Sequence, residues 1–267
     1  MSEALFSLQA ATLADVPVMA KITSDSFKLD RNTQVKAGGK AGYDLEEIFN
    51  SEGAKYIASP NCRVLKAIHK ETGVLMGWCC WGFRGFEAGE VPPLPANDAK
   101  DQVYMITESE ELHKDIPEVK WSDKQPGKER TKNPEESSTE TIDDGPKRLE
   151  KLTRDDMARW MEVLMPEGAK CMFIVTLSVS PEWQSRGVAS AFLKWGAEKA
   201  DEAGVFCWVH SSDPAWTTYA KVGFEVIGTL DIDLDEYAVG PPPSKELEGS
   251  EGKWGHYIFR YMKRLPK

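Results

Sequence analysis

The stretch Leu177 to Ala189, LSVSPEWQSRGVA, constrains this chain more than any other. An apolar run, Cys171 to Val179, stops at Ser180-Pro181. A short turn comes next, and Gln184-Ser185-Arg186-Gly187-Val188-Ala189 opens a long amphipathic segment. A strand that ends in a tight turn and passes into a helix leaves the helix's first amides without acceptors, with the positive end of the helix dipole behind them. Such a cradle suits a phosphorylated ligand. Gly187 carries no side chain to hold an anion away from the backbone.

The downstream residues extend the pattern. Ala189, Phe192, Leu193, Gly196, Ala197 and Ala200 fall on one face at helical spacing. Gly204 is a natural end for that helix. Val205 to Val209 is rich in β-formers and reads as a strand. Ser212 to Phe224 reads as a short helix with Pro214 near its first turn and Gly223 just past its end. The spacing Gln184-x-x-Gly187-x-Ala189, with Tyr219 and the pair Gly223-Phe224 beyond it, resembles the pyrophosphate-binding signature of the GNAT superfamily of acyl-CoA N-acyltransferases. The resemblance is close from about Cys171 to Tyr237 and loose in the N-terminal part.

The 267 residues allow one large domain or two small ones, and 41% hydrophobic residues suffice for a packed core. The formal charge is −10, and the segment Asp101 to Glu150 alone holds 14 acidic and 8 basic residues. An acidic chain is poorly suited to nucleic acid and better suited to a cationic amine. Of the five cysteines, Cys79, Cys80, Cys171 and Cys207 lie in apolar runs and Cys62 does not. This reads as a reduced set, with no disulfide framework. Cys79 and Cys80 are adjacent, so they point to opposite faces of a strand and make a poor metal pair. No metal is expected. No apolar run approaches the roughly 18 residues of a membrane span. The start, MSEALFSLQ, lacks a basic region followed by an apolar one. The expected location is the cytoplasm, with the nucleus as alternative.

Along the chain, Phe6 to Ala10 reads as a strand. Thr12 or Asp15 caps a helix carrying Val16, Met19, Ala20, Ile22 and Phe27. Lys28 to Tyr43 reads as loop or short helix, and Asp44 to Phe49 as another helix. Arg63 to His69 and Val74 to Phe83 form a hairpin. A single domain over 1–267 is expected, with an acidic insertion at about 86–146. Ser122 to Gly145 has too few aliphatics to offset chain entropy and is expected to be flexible, with local order at Gln102 to Ile106. Leu149 to Leu164 reads as a helix that packs back on the core. Phe224 to Leu234 and Trp254 to Met262 read as the last strands.

The resemblance implies an α/β fold: a mixed, largely antiparallel sheet splayed at the CoA site, with helices on both faces. It also implies acetyl-CoA as co-substrate. Backbone groups at Leu177, Ser178 and Val179 would pair with the pantetheine arm like an added strand. The Leu177 N–H would polarise the acyl carbonyl. Gln184, Ser185, Arg186, Gly187, Val188, Ala189 and Ser190 would hold the pyrophosphate, the Arg186 side chain adding a charge-assisted contact. Tyr219 would be the general acid, since a phenol on a fixed helix can protonate a departing thiolate. Ala215, one helical turn earlier, would leave room for the pantetheine arm. Ser212 stands where many family members carry an Asn, and a hydroxyl replaces only part of an amide's bonding.

His210 precedes that helix, and an imidazole with an ordinary pKa near 6.5 suits a base that deprotonates an ammonium. Asp213 and Glu162 are weaker alternatives. His69, His113 and His256 have no partner that the sequence identifies. Most of the tryptophans read as core. Trp81 and Trp216 are secondary candidates for lining an acceptor pocket, and Trp183 is read as a surface or cofactor-edge residue. The reading is acetyl transfer to a small primary amine by direct attack, in a monomer or homodimer. Two alternatives stand beside it: a non-catalytic CoA-binding protein, and an acetyltransferase acting on histone tails or protein N-termini.

Overall fold

The computed structural model describes residues 5–38, 44–87, 89–95 and 144–267. The local order expected at Gln102 to Ile106, His113, and all but the last two residues of Ser122 to Gly145 lie outside them. The described strands are β1 (Phe6–Ala10), β2 (Cys62–His69), β3 (Leu75–Arg84), β4 (Cys171–Val179), β5 (Cys207–Ser211), β6 (Glu225–Asp233) and β7 (His256–Arg264). They form one sheet in the order β1-β2-β3-β4-β5-β7-β6. Every neighbouring pair is antiparallel except β4 with β5. This is the mixed, largely antiparallel sheet that the family resemblance implied.

Alternation along the strands sends side chains to two faces. Cys79, Trp81 and Phe83 of β3 join a core with α5 (Val188–Glu202), whereas Trp78 and Cys80 join one with α1 (Val16–Ser26) and α3 (Leu45–Ala58). Helices thus cover both faces. Buried Phe192, Leu193, Gly196, Ala197 and Ala200 give α5 the predicted stripe, and Gly204, at φ +63°, ends it. The five cysteines are free and buried.

Two expectations need adjustment. The insertion does not leave the core at residue 86. Val91 is buried, Phe86 meets Phe83 edge-on at 5.3 Å, and Leu94 packs on the same cluster. Apolar residues in an acidic neighbourhood still bury when a sheet face is within reach. At the other end, helix α4 (Gly145–Leu164) starts four residues earlier than the apolar spacing suggested. The Asp144 carboxylate accepts from the Lys147 amide at 3.2 Å and sets that start. α4 lies on the face away from α5. Leu149 packs with Ile232 and Leu234, and Trp160 stacks on Tyr261 at 4.5 Å. It also buries Thr153 and Asp156, an unusual use of polar residues on a helix's inner face.

Candidate active site

β4 and β5 pair on only two rungs, Met172 with Cys207 and Phe173 with Trp208. Beyond them β4 continues to Val179 and β5 to Ser211 without pairing. The parting is helped by a bulge in β4: Cys80 faces Thr176 and Trp81 faces Ile174, which leaves Val175 extra. The gap is the splay expected at the ligand site, and Leu177, Ser178 and Val179 form its β4 side. Leu177 is half-buried against the α5-side core. Ser178 is buried, its Oγ 3.1 Å from Thr23 Oγ1 of α1, so the strand is pinned from behind.

At the end of β4, Pro181–Trp183 makes one 3₁₀ turn, and the chain then enters the loop before α5. The Gln184 side chain donates to the Val179 carbonyl at 3.2 Å and ties the loop to the strand. Ser185 at φ +60° and Gly187 at φ +86° both adopt left-handed backbone, a sequence of turns that gathers amides into a concave nest. The amides of Gln184, Ser185, Arg186 and Gly187 meet no backbone acceptor among the described residues. Those of Val188, Ala189 and Ser190 open the helix, where no intrahelical acceptor exists. A Cβ at Gly187 would touch nothing within 4 Å, so the loop faces open space. The Arg186 guanidinium lies 5.1 Å from the centre of the Trp183 ring, which itself packs on His69 at 5.1 Å. Trp183 therefore carries the arginine beside the loop.

On the β5 side, Ser212 lies in the turn after the strand, and its carbonyl accepts from the Ala215 amide at 3.2 Å. Ala215 caps α6 (Trp216–Ala220) and is half-buried in the α5-side core. Tyr219 is 7% exposed and packs edge-on against Phe224 at 5.9 Å. Its phenol lies close to Cys79, the residue of β3 that faces Leu177 across the β3–β4 ladder. Burial, with a smaller contribution from the Cys79 thiol, pushes the phenol's pKa up, so the group stays protonated at neutral pH. Tyr219 is thus placed beside the splay on the α5 side.

His210 lies on the opposite side. Its neighbour Val209 faces the α5 core, and the imidazole points the other way. It stacks on Phe259 at 4.5 Å and on Tyr261 at 4.6 Å. Burial lowers its pKa to about 4, with Asp156 opposing and Lys36 adding to the shift. The structure therefore separates Tyr219 and His210 across the sheet, with the opening of β4 and β5 between them.

The weaker candidates separate as well. Trp81 is fully buried and donates to the Phe192 carbonyl at 3.3 Å, so it cannot line a pocket; its place on the α5 face of β3 decides this. Trp216 remains half-buried with Arg260 over its ring at 4.9 Å. Asp213 is held by two guanidiniums, Arg31 at 3.2 Å and Arg260 at 2.8 Å, and is not free to act as a base. His256 pairs with Asp231 on the surface. Sequence reasoning missed Asp30, which caps α2 (Arg31–Ala37) through the Thr33 amide and accepts from the Tyr257 hydroxyl at 2.5 Å. Its signal was present in the spacing Asp30-x-x-Thr33. Among the described residues, no group of three or more His, Cys, Asp or Glu is placed to hold a metal ion, and no helix is long and apolar enough to cross a membrane.

The model of the acetyltransferase (GNAT) family matches residues 115–224. A candidate arylalkylamine N-acetyltransferase 7 of the yellow fever mosquito superposes with a TM-score of 0.55 at 12% identity, covering 97% of this chain and 87% of that one. A mosquito arylalkylamine N-acetyltransferase like 5b gives a TM-score of 0.52 at 15% identity, covering 97% and 99%. At such identities the likeness is one of fold. No curated protein sequence matches the chain significantly.

Proposed function

We propose that this chain, which the acetyltransferase (GNAT) family model matches over residues 115–224, moves an acetyl group from acetyl-CoA to a small primary amine by direct attack in a ternary complex. The observation that carries this reading is the opening between β4 and β5. It has free amides of Gln184 to Gly187 at its mouth, and Tyr219 packs in the same core as Leu177 and Val179 of its β4 side. These residues fit the co-substrate. The loop amides and Arg186 suit a pyrophosphate, and an unpaired stretch of β4 suits the amides of a pantetheine arm.

In this mechanism Leu177 to Val179 orient the thioester, and the Leu177 N–H stabilises the charge that develops on the acyl oxygen. The amine nitrogen bonds to the acyl carbon as the carbon–sulfur bond breaks. His210, neutral in the folded protein, takes the proton that the nitrogen loses. Tyr219 gives its proton to the departing thiolate, and its high pKa keeps it loaded for that step. Acid and base occupy opposite sides of the sheet, so neither quenches the other. We place the reaction in the cytoplasm or nucleus.

The test is direct. Purified protein is incubated with acetyl-CoA and a panel of primary amines, and free thiol is measured. Amine-dependent thiol release supports transfer. Tight CoA binding with no release for any amine would favour a CoA-binding protein without turnover, the reading that Ser212 in place of an Asn supports.

A further inference from the structure

Asp213 lies just past the free end of β5, and α2, β7 and the start of α6 meet on it. β5 leaves β4 after Trp208 and is held from there on by β7, up to the rung that pairs Ser211 with Arg260. The side chain of that same Arg260 reaches Asp213. Its Nη1 donates to Oδ1 at 2.8 Å and to the Ile258 carbonyl at 3.0 Å. Its guanidinium also lies 4.9 Å from the centre of the ring of Trp216, the first residue of α6. Arg31, the first residue of α2, donates from Nη2 to Asp213 Oδ2 at 3.2 Å and from Nη1 to the Trp254 carbonyl. The carboxylate thus gives one oxygen to each guanidinium. The three side chains are 16–26% exposed, so salt screens them little.

Asp213 sits inside the turn that the Ala215 amide closes on the Ser212 carbonyl, and α6 starts directly after that turn. α6 is five residues long, too short to hold a direction by its own hydrogen bonds. Its far end is fixed where the Phe224 amide donates to the Tyr219 carbonyl at 3.3 Å and the Tyr219 ring meets Phe224. Its near end is held by Asp213 and by Arg260 over Trp216. We propose that Asp213 is a positioning residue: through the Arg31–Asp213–Arg260 bridge it fixes the start of α6 and the unpaired end of β5, and so aims the Tyr219 phenol at the leaving thiolate. The inference rests on the acetyl-transfer reading above. The β4 wall of the opening has its own fastenings, Ser178 to Thr23 and Gln184 to the Val179 carbonyl. The bridge is the equivalent for the β5 wall. It needs a carboxylate, because an amide offers one acceptor oxygen where two guanidiniums use two, and it brings no charge.

The experiment compares Asp213→Asn, Tyr219→Phe and the double variant by thiol release from acetyl-CoA with 2-phenylethylamine. Asp213→Asn is expected to lower kcat about tenfold or more, since misplacing a catalytic group by about 1 Å can cost a hundredfold. In the Tyr219→Phe protein the same substitution is expected to cost about twofold or less, because the group it aims is already gone, whereas residues that act independently give additive losses. Normal turnover in a folded Asp213→Asn, full turnover in Tyr219→Phe, or losses that add in full overturn the proposal. Arg260→Met, which removes one arm of the bridge, takes the place of Asp213→Asn in the same cycle if the latter does not fold. Amide hydrogen exchange gives a readout that needs no turnover. In Asp213→Asn, exchange is expected to quicken about tenfold or more at Ala215 to Ala220, while the amides of β2 and β3 keep their wild-type rates. If no amine releases thiol, the transfer reading fails, and exchange then decides the bridge by itself. Quickening confined to Ala215 to Ala220 supports it, and an unchanged rate, or one raised equally in β2, overturns it.

Discussion

Phe173 of β4 and Trp208 of β5 form the last rung on which those strands pair, and their rings stack 5.7 Å apart. The opening of the sheet begins there. The rung is also held from the β3 side, because the Phe173 ring lies over Gly82 so closely that a Cβ there would sit 2.3 Å from it. Gly82→Ala therefore drives a methyl group into the ring that hinges the site. The expected result is a loss of about 1–3 kcal/mol of stability, with a fall in CoA affinity because the two strands no longer part at the same place. Thermal melts and calorimetry on the variant check both. A normal melting temperature with normal CoA affinity would show that the ring simply swings aside.

Gly187 has a left-handed backbone and opens the helix that carries the free amides. Gly187→Glu places a carboxylate where the pyrophosphate is expected. It adds like charge at about the distance of an ion pair and strains the backbone by roughly 1–2 kcal/mol. CoA affinity measured by calorimetry is expected to fall at least about tenfold, while the open space around the position keeps the fold intact. Unchanged affinity in the folded variant removes the loop from the site.

His210 gives a prediction in pH. Its folded pKa of about 4 is below the ordinary imidazole value because the ring is buried. Between about pH 6.5 and pH 4 the unfolded chain takes up a proton that the folded protein refuses, so this group's effect is nil above pH 6.5 and destabilising below it. Stability is expected to fall by on the order of 3 kcal/mol across that window relative to His210→Gln. The same ring, as the base, puts the acidic limb of kcat/KM near pH 4. A limb near pH 6.5 that survives in His210→Gln assigns the limb to another group.

How far the sequence carried the reading depended on how local each signal was. The path from β4 through the loop to α5 was legible because strand, turn and helix signals sit within twenty-odd adjacent residues, and Gly187 marks its own backbone state. The opening itself came only from the family resemblance. The environment of His210 was not legible. It depends on the register of β5 against β7, which sets His210 beside Tyr261 fifty-one positions away. Trp81 misled for a related reason. Nothing in Cys80-Trp81-Gly82 says which face of β3 the indole takes.

Tyr219→Phe tests the acid role most cleanly. The ring sits against Phe224 and is buried, so its packing survives the change. Only the proton donor disappears. Loss of a general acid lowers turnover by about a hundred- to ten-thousandfold where it protonates the leaving group in the rate-limiting step, and by less where the thiolate departs unaided. A fall in kcat of at least about tenfold is therefore expected, with CoA affinity and melting temperature retained. A packing role predicts the reverse: near-normal turnover and a lower melting temperature. Turnover, affinity and melting temperature on this one variant separate the two. Full turnover in Tyr219→Phe would leave the thiolate to water and remove the phenol from the mechanism, while leaving the loop and the opening of β4 from β5 untouched.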